Sequence, residues 1–253
     1  MGMVMDAHVH VGQSLQGFEQ SVDGLLGSMA RLAINKAVLC PVRPMDYAYP
    51  PQNEFVAQTV DRHRDRFEGL GRVDPRRPDC EEESERCLSD LGLRGLYLHP
   101  WEDAFCVADP MVDRVMNICG RYRAPVVVAT GYPWVSEAPQ VAELARRFPN
   151  VPIIMTNGGQ INISGLGQRD AWLALEQHPN IFITTAGVYR EDFLEEVMTR
   201  ISPRRVLFGS LSPLYDQDYE VHRVRWAHVP ERMKEAVLGG NTHELFRVSR
   251  EEA

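Results

Sequence analysis

The sequence predicts a single (β/α)8 TIM barrel, an α/β fold, over residues 1–253. Three observations predict it: eight short apolar runs of strand character, amphipathic stretches between them, and no linker or low-complexity break along the chain. The 253-residue length suits one such barrel. A doubly wound sheet is the competing arrangement, but no G-x-G-x-x-G turn follows the first strand.

The expected strands are 4–10, 36–41, 67–73, 93–99, 125–130, 151–157, 181–186 and 205–209. Each is a short run containing β-branched or aromatic residues, such as KAVLCP or PVVVAT. The stretches NEFVAQTVDRHR, CEEESERCLSDLG, PMVDRVMNICGRY, PQVAELARRFPN, DAWLALEQHPN and EDFLEEVMTRIS carry apolar residues at three- and four-residue spacing, the pattern of a helix with one buried face. Several stop at Gly or before Pro. The acidic run in CEEESERC reads as a solvated helix N-terminus, where carboxylates complement the helix dipole.

Composition narrows the function. With 44% hydrophobic and 25% charged residues the chain is that of an ordinary globular protein. Its formal charge of −8, and the lack of a basic cluster interleaved with aromatics, exclude nucleic acid as an expected partner. No apolar run approaches a membrane span and no signal-peptide pattern opens the chain, so a cytoplasmic location is expected. The five cysteines include no C-x-x-C pair and read as reduced, packing residues. The expected partner is a small-molecule substrate, and a homo-oligomer is left open.

In a barrel of this kind the reactive groups stand at the C-terminal ends of the strands and in the loops that follow. The first strand carries Asp6, His8 and His10 in MDAHVHVGQ. Alternate residues of a strand point to one face, so His8 and His10 project together. The next three strands lead into Arg43, Tyr47 and Tyr49; Arg72 and Asp74; and His99, Trp101, Glu102 and Asp103. The later strands end in Ala129 and Thr130, followed by Tyr132 and Trp134; in Thr156 and Asn157; in Thr184 and Thr185; and in Ser210 and Leu211. Arg43 and Arg72 have the geometry to grip a substrate carboxylate, the alternative being a loop ion pair such as Arg72 with Asp74. The aromatics at the mouth either line a pocket or pack loops together. The glycine-rich NGGQINISGLGQ could bring backbone close to a ligand. Ser210 and Ser212 do not form G-x-S-x-G, which speaks against a serine hydrolase.

Taken in order, DAHVH, GLGRVDP, GLYLHPWEDAF, PVVVATG, IIMTNGGQ, RVLFGSLSP and GNTHELF span nearly the whole chain. In this it resembles the amidohydrolase superfamily, within the amidohydrolase-related branch that includes aminocarboxymuconate semialdehyde decarboxylase. The resemblance implies the barrel fold and a metal centre. The metal would be held by H-x-H on strand one, a histidine after strand five and another after strand six, with an aspartate after strand eight as general base. His8 and His10 match this set, but the other three positions hold Ala129, Thr156 and Leu211.

The expectation is therefore a degenerate metal centre with no cofactor. The chemistry would be metal-independent acid–base chemistry of lyase, decarboxylase, cyclase or isomerase type on a small carboxylate-bearing molecule. His8 and His10 would move protons, oriented by Asp6 or a neighbour. Arg43, Arg72, His99, Tyr132, Trp134, Thr156 and Asn157 would bind substrate. One alternative is a metal-dependent hydrolase or decarboxylase with zinc or manganese on His8, His10 and His99, or with Asp216 or His222 completing the set. Another is a non-catalytic protein that binds a small molecule.

Overall fold

The computed structural model describes residues 2–161 and 165–251. Its strands are β1 (Met5–Gln13), β2 (Glu19–Gln20), β3 (Lys36–Pro41), β4 (Phe67–Gly69), β5 (Gly71–Arg72), β6 (Leu96–Leu98), β7 (Val126–Val128), β8 (Ile153–Met155), β9 (Ile181–Thr184) and β10 (Val206–Leu207). The order is β2-β1-β3-β4 in one run and β10-β9-β8-β7-β6-β5 in the other, and every pairing except β1 with β2 is parallel.

The two runs form one barrel of eight staves. β4 and β5 are halves of a single stave that changes partner at Leu70, whose N–H bonds the Leu39 carbonyl at 2.9 Å while Gly71 N–H turns to Gly95 at 3.0 Å. A side chain at Gly71 would put its Cβ 2.5 Å from the Cys87 sulfur, so the helix Cys80–Ser89 can press directly on this stave. At the other seam, Ala7 N–H donates to Phe208 O at 2.7 Å, Leu211 N–H to His8 O at 2.8 Å and His10 N–H to Ser212 O at 2.8 Å. These bonds close the barrel and leave no exposed edge there.

Helices cover the outside. The expected helical stretches fall on Tyr49–Arg62, Cys80–Ser89, Asp113–Arg121, Ala138–Arg147, Gly165–Gln177 and Glu191–Glu196. The acidic residues of CEEESERC do stand in a helical first turn, but Glu83 is drawn inward and accepts from Asn53 at 2.6 Å and from Arg86. Some helix starts carry a side-chain cap, as where Ser21 accepts from Gly24 N–H at 3.1 Å ahead of Val22–Leu32.

The core divides in two. Met5, Ala7, Val38, Leu70, Tyr97, Val127, Ile154 and Leu207 fill the barrel interior, whereas Val9, Val11, Leu39, Leu96, Leu98, Val126 and Val128 face the helices. Strands buried on both faces carry the unbroken apolar runs seen in the sequence. All five cysteines are unpaired and four are buried. Among the described residues no helix is long and apolar enough to cross a membrane.

Candidate active site

The site begins with an irregularity in β1. Asp6 pairs with Ala37 and Val9 with Leu39, so Ala7 and His8 together stand opposite the single residue Val38. Such a bulge changes which face the following residues present. Before it Met5 and Ala7 point into the barrel; after it Val9 and Val11 point outward, and His8 and His10 take the inner face. The two imidazole centroids are 4.8 Å apart, and each packs edge-on against Tyr97, at 5.3 Å and 5.6 Å.

Asp6 lies on the other side of this bulge and does not touch either ring. Its buried carboxylate accepts from Ser210 N–H at 2.8 Å, Gln217 Nε2 at 3.0 Å and the backbone N–H of His8 at 3.2 Å. It ties β1 to the segment after β10. Burial raises its pKa and these bonds partly offset the rise.

His10 Nδ1 lies 3.2 Å from the Cys40 carbonyl. A carbonyl only accepts, so Nδ1 carries the proton and Nε2 is left with a lone pair. Neither ring nitrogen of His8 has a hydrogen-bond partner, although the residue is only 1% exposed. Burial lowers the pKa of both, His8 well below the ordinary imidazole value and His10 to about 4, where Arg72 adds to the effect. Both rings are therefore neutral at neutral pH.

Facing the histidines is a buried ionic network. Arg72, 1% exposed, donates through one Nη to Glu102 at 2.7 Å and to Asp103 at 3.0 Å. Tyr49 donates to the same Asp103, and the Arg72 guanidinium lies 4.6 Å from the Tyr49 ring centroid. Burial disfavours the Arg72 cation, but Asp103, Tyr49 and Glu102 more than compensate and its pKa is raised. Asn53 holds the Arg72 backbone at both ends, accepting from its N–H at 2.7 Å and donating to its carbonyl at 3.0 Å. The loop ion pair anticipated between Arg72 and Asp74 does not form: Asp74 pairs with Arg76 at 2.8 Å, because Arg72 points into the barrel while Asp74 stays with its own loop.

His99 belongs to this network. Glu102 N–H donates to its Nδ1 at 3.3 Å, and its Nε2 lies 3.3 Å from Glu102 Oε1. Burial lowers its pKa well below the ordinary value, helped by Arg72.

His10, Arg43, Arg72, Tyr97, His99, Tyr132 and Asn157 line one small cavity of about 30 Å³, room for one or two water molecules. Arg43 contributes a buried Nε with no partner, and its guanidinium rests 4.5 Å from the Tyr47 ring centroid. Burial raises the Tyr132 hydroxyl to about 12. Trp134 stands outside, 85% exposed, and does not line this cavity. Asn157, held at φ 54°, donates to the Tyr215 hydroxyl at 3.3 Å. The glycine-rich stretch falls partly on residues 162–164, outside the described residues.

Ala129, Thr156 and Leu211 line the same cavity as His10. The Thr156 hydroxyl is taken up by Thr130 N–H at 3.0 Å, which joins the ends of β7 and β8. Asp216 caps the helix Gln217–Trp226, and His222 on that helix pairs with Asp218 at 2.8 Å. His10 lines the cavity together with His99 and Glu102, and His8 lies beside His10. Among the described residues no group of three or more His, Cys, Asp or Glu side chains is arranged to hold an ion. A catalytic zinc usually takes three protein ligands, and manganese favours carboxylates.

Tyr97 is the wall residue that strand patterns alone missed. It stands two positions before His99 on and after β6, so the same alternation that joins His8 to His10 places Tyr97 beside His99, at 5.9 Å.

No curated protein matches the sequence. Among solved structures, 5-carboxyvanillate decarboxylase from Sphingomonas paucimobilis is similar at TM-score 0.77 and 18% identity, over 98% of this chain and 99% of that one. The 2,6-dihydroxybenzoate decarboxylase from Rhizobium is similar at TM-score 0.76 and 19% identity, over 98% and 99%. The dihydroxybenzoic acid decarboxylase from Polaromonas sp. JS666, with bound manganese and 2-nitroresorcinol, gives TM-score 0.76 and 17% identity, over 100% and 99%. At these identities the likeness establishes the barrel fold. A family model described as Amidohydrolase (Amidohydro_2) matches residues 6–248, nearly the full length, and the chain belongs to that family.

Proposed function

We propose that this protein is a lyase of decarboxylase type acting on a small, carboxylate-bearing aromatic molecule, with a degenerate metal centre and protons moved by His8 and His10. The observation that carries this reading is His8: an imidazole buried to 1% exposure, with both ring nitrogens unpartnered, beside a second neutral imidazole. Burying such a polar group without partners costs about 1–3 kcal/mol, a cost tolerated where the group has work to do on a ligand. Structural neighbours that act on carboxyvanillate and dihydroxybenzoate support the substrate class.

The reaction balances with the groups present. A neutral imidazole takes the proton of an incoming carboxylic acid and returns it to the carbon that carries the carboxylate. The C–C bond breaks, its electron pair becomes the new C–H bond, and carbon dioxide leaves. A depressed pKa makes the imidazolium a strong proton donor, which favours the return step. Arg43, with its Nε free, orients the carboxylate. The cavity holds no more than water as it stands, so substrate entry displaces the loop carrying Leu214 and Tyr215, both substantially exposed.

The test is carbon dioxide release from a panel of hydroxybenzoates in the presence of a chelator. Turnover that survives the chelator and is lost in His8→Gln, with the variant's circular dichroism unchanged, supports the reading. Absence of turnover across the panel contradicts it. The second reading is a manganese-dependent decarboxylase, favoured by the manganese in the Polaromonas structure; it predicts turnover that chelator abolishes and manganese restores.

A further inference from the structure

Among the described residues the chain makes π-helical turns at Val197–Ile201 and Ala236–Gly240. Such turns are rare and concentrate at functional positions. Both lead to one place: Ile201 ends the first, Asn241 follows the second, and both line a cavity of about 450 Å³. This cavity lies at the end of the barrel opposite His8 and His10, since Phe182 is near the start of β9 and Arg205 immediately precedes β10. Its volume falls in the range of small-molecule sites.

The chemistry of its wall is specific. Phe182, Ile201 and Leu245 make it apolar, and Arg204 and Arg205 bring positive charge to it, with Glu244 as the carboxylate among its described lining residues. Arg205 Nε donates to the Ile181 carbonyl and one Nη to the His178 carbonyl at 2.6 Å, with the guanidinium 5.3 Å from the Phe182 ring centroid. Among the described residues it has no carboxylate partner. Burial lowers its pKa to about 10, the mark of a cation drawn out of water without a counter-charge. A carboxylate arriving here would supply that charge, and an apolar body would cover the aliphatic and aromatic wall. Inorganic phosphate would leave that wall unused.

We propose that this cavity is a second ligand site, separate from the barrel mouth, for a carboxylate carried on an apolar body, with Arg204 and Arg205 on the anion and Phe182, Ile201 and Leu245 on the body. The inference stands apart from the reading of the barrel mouth, because it uses none of the same residues.

Titration calorimetry with decanoate as the probe tests it, against decylamine and inorganic phosphate. Decanoate is expected to saturate a site on the wild-type protein and on Arg43→Gln at the barrel mouth, while the other two probes do not. Arg204→Gln, at an exposed position, and Leu245→Asp each weaken that binding by about tenfold or more, the loss expected for a charge-assisted contact. Thermal unfolding confirms that both variants are folded. The proposal is overturned by absence of saturable decanoate binding, by equal binding of decylamine, by binding indifferent to both wall substitutions, or by loss of the whole signal in Arg43→Gln.

Discussion

Glu102 flanks both ring nitrogens of His99, its N–H donating to Nδ1 at 3.3 Å and its Oε1 lying 3.3 Å from Nε2. The Glu102 N–H makes Nδ1 the acceptor and so places the ring proton on Nε2, beside the Glu102 carboxylate. In Glu102→Ala the carboxylate is gone and Nε2 is released toward the cavity. Equilibrium dialysis is expected to find tighter zinc binding in this variant than in wild type; equal binding would mean that Glu102 is not what withholds His99.

The Arg72 network sets a stability prediction. Arg72→Met leaves Glu102 and Asp103 without their cation in a buried setting, and losing one partner of such a cluster costs about 3–5 kcal/mol. Tyr49→Phe removes a single hydrogen bond to the Asp103 carboxylate and costs about 1.5–3 kcal/mol. Urea unfolding should rank the two in that order. A loss below about 1 kcal/mol for Arg72→Met would show that the cluster is not held as described.

His10 gives the protein a defined acid sensitivity. Its pKa falls from 6.5 to about 4 on folding, so between those values the unfolded chain binds more protons than the native one. The stabilisation is complete above pH 6.5 and is lost as pH falls toward about 4, at up to about 1.4 kcal/mol per pH unit for one group. His8 and His99 shift in the same direction and steepen the decline. Asp6 is raised and acts with the opposite sign, but its contribution is common to wild type and His10→Gln and cancels in their difference. Unfolding free energies of the two proteins across this window should converge as the pH falls; a constant gap would contradict the assignment.

Ala129, Thr156 and Leu211 share a cavity with His10 and occupy the places where the family resemblance puts two histidines and an aspartate. The triple variant Ala129→His, Thr156→His, Leu211→Asp is therefore expected to bind zinc at one site per chain. If the folded variant, checked by circular dichroism, takes up no zinc, those three positions do not form the cage.

Much of this arrangement could be read from the chain. The eight staves follow from β-branched runs, and the approach of His8 to His10 from two-residue spacing. The side of the strand was not legible, because the bulge at Ala7 and His8 depends on the β3 register and leaves no local mark. The same bulge separates Asp6 from the rings it was expected to orient. Asp74 is near Arg72 in sequence, but the true partners, Glu102 and Asp103, arrive from the next stave, which no local pattern marks. Thr156 lines the cavity, and its hydroxyl also accepts from Thr130 N–H on the neighbouring stave, a link that its own segment does not mark. In each case the missing information is tertiary: which stave comes beside which, and at what register.

Metal content measured together with turnover tests the central claim most directly. Protein purified without chelator is subjected to elemental analysis and then assayed for carbon dioxide release from hydroxybenzoates. The two-imidazole account predicts far less than one metal ion per chain in a preparation that turns over; near-stoichiometric manganese or zinc, with activity that tracks its removal and return, would contradict it.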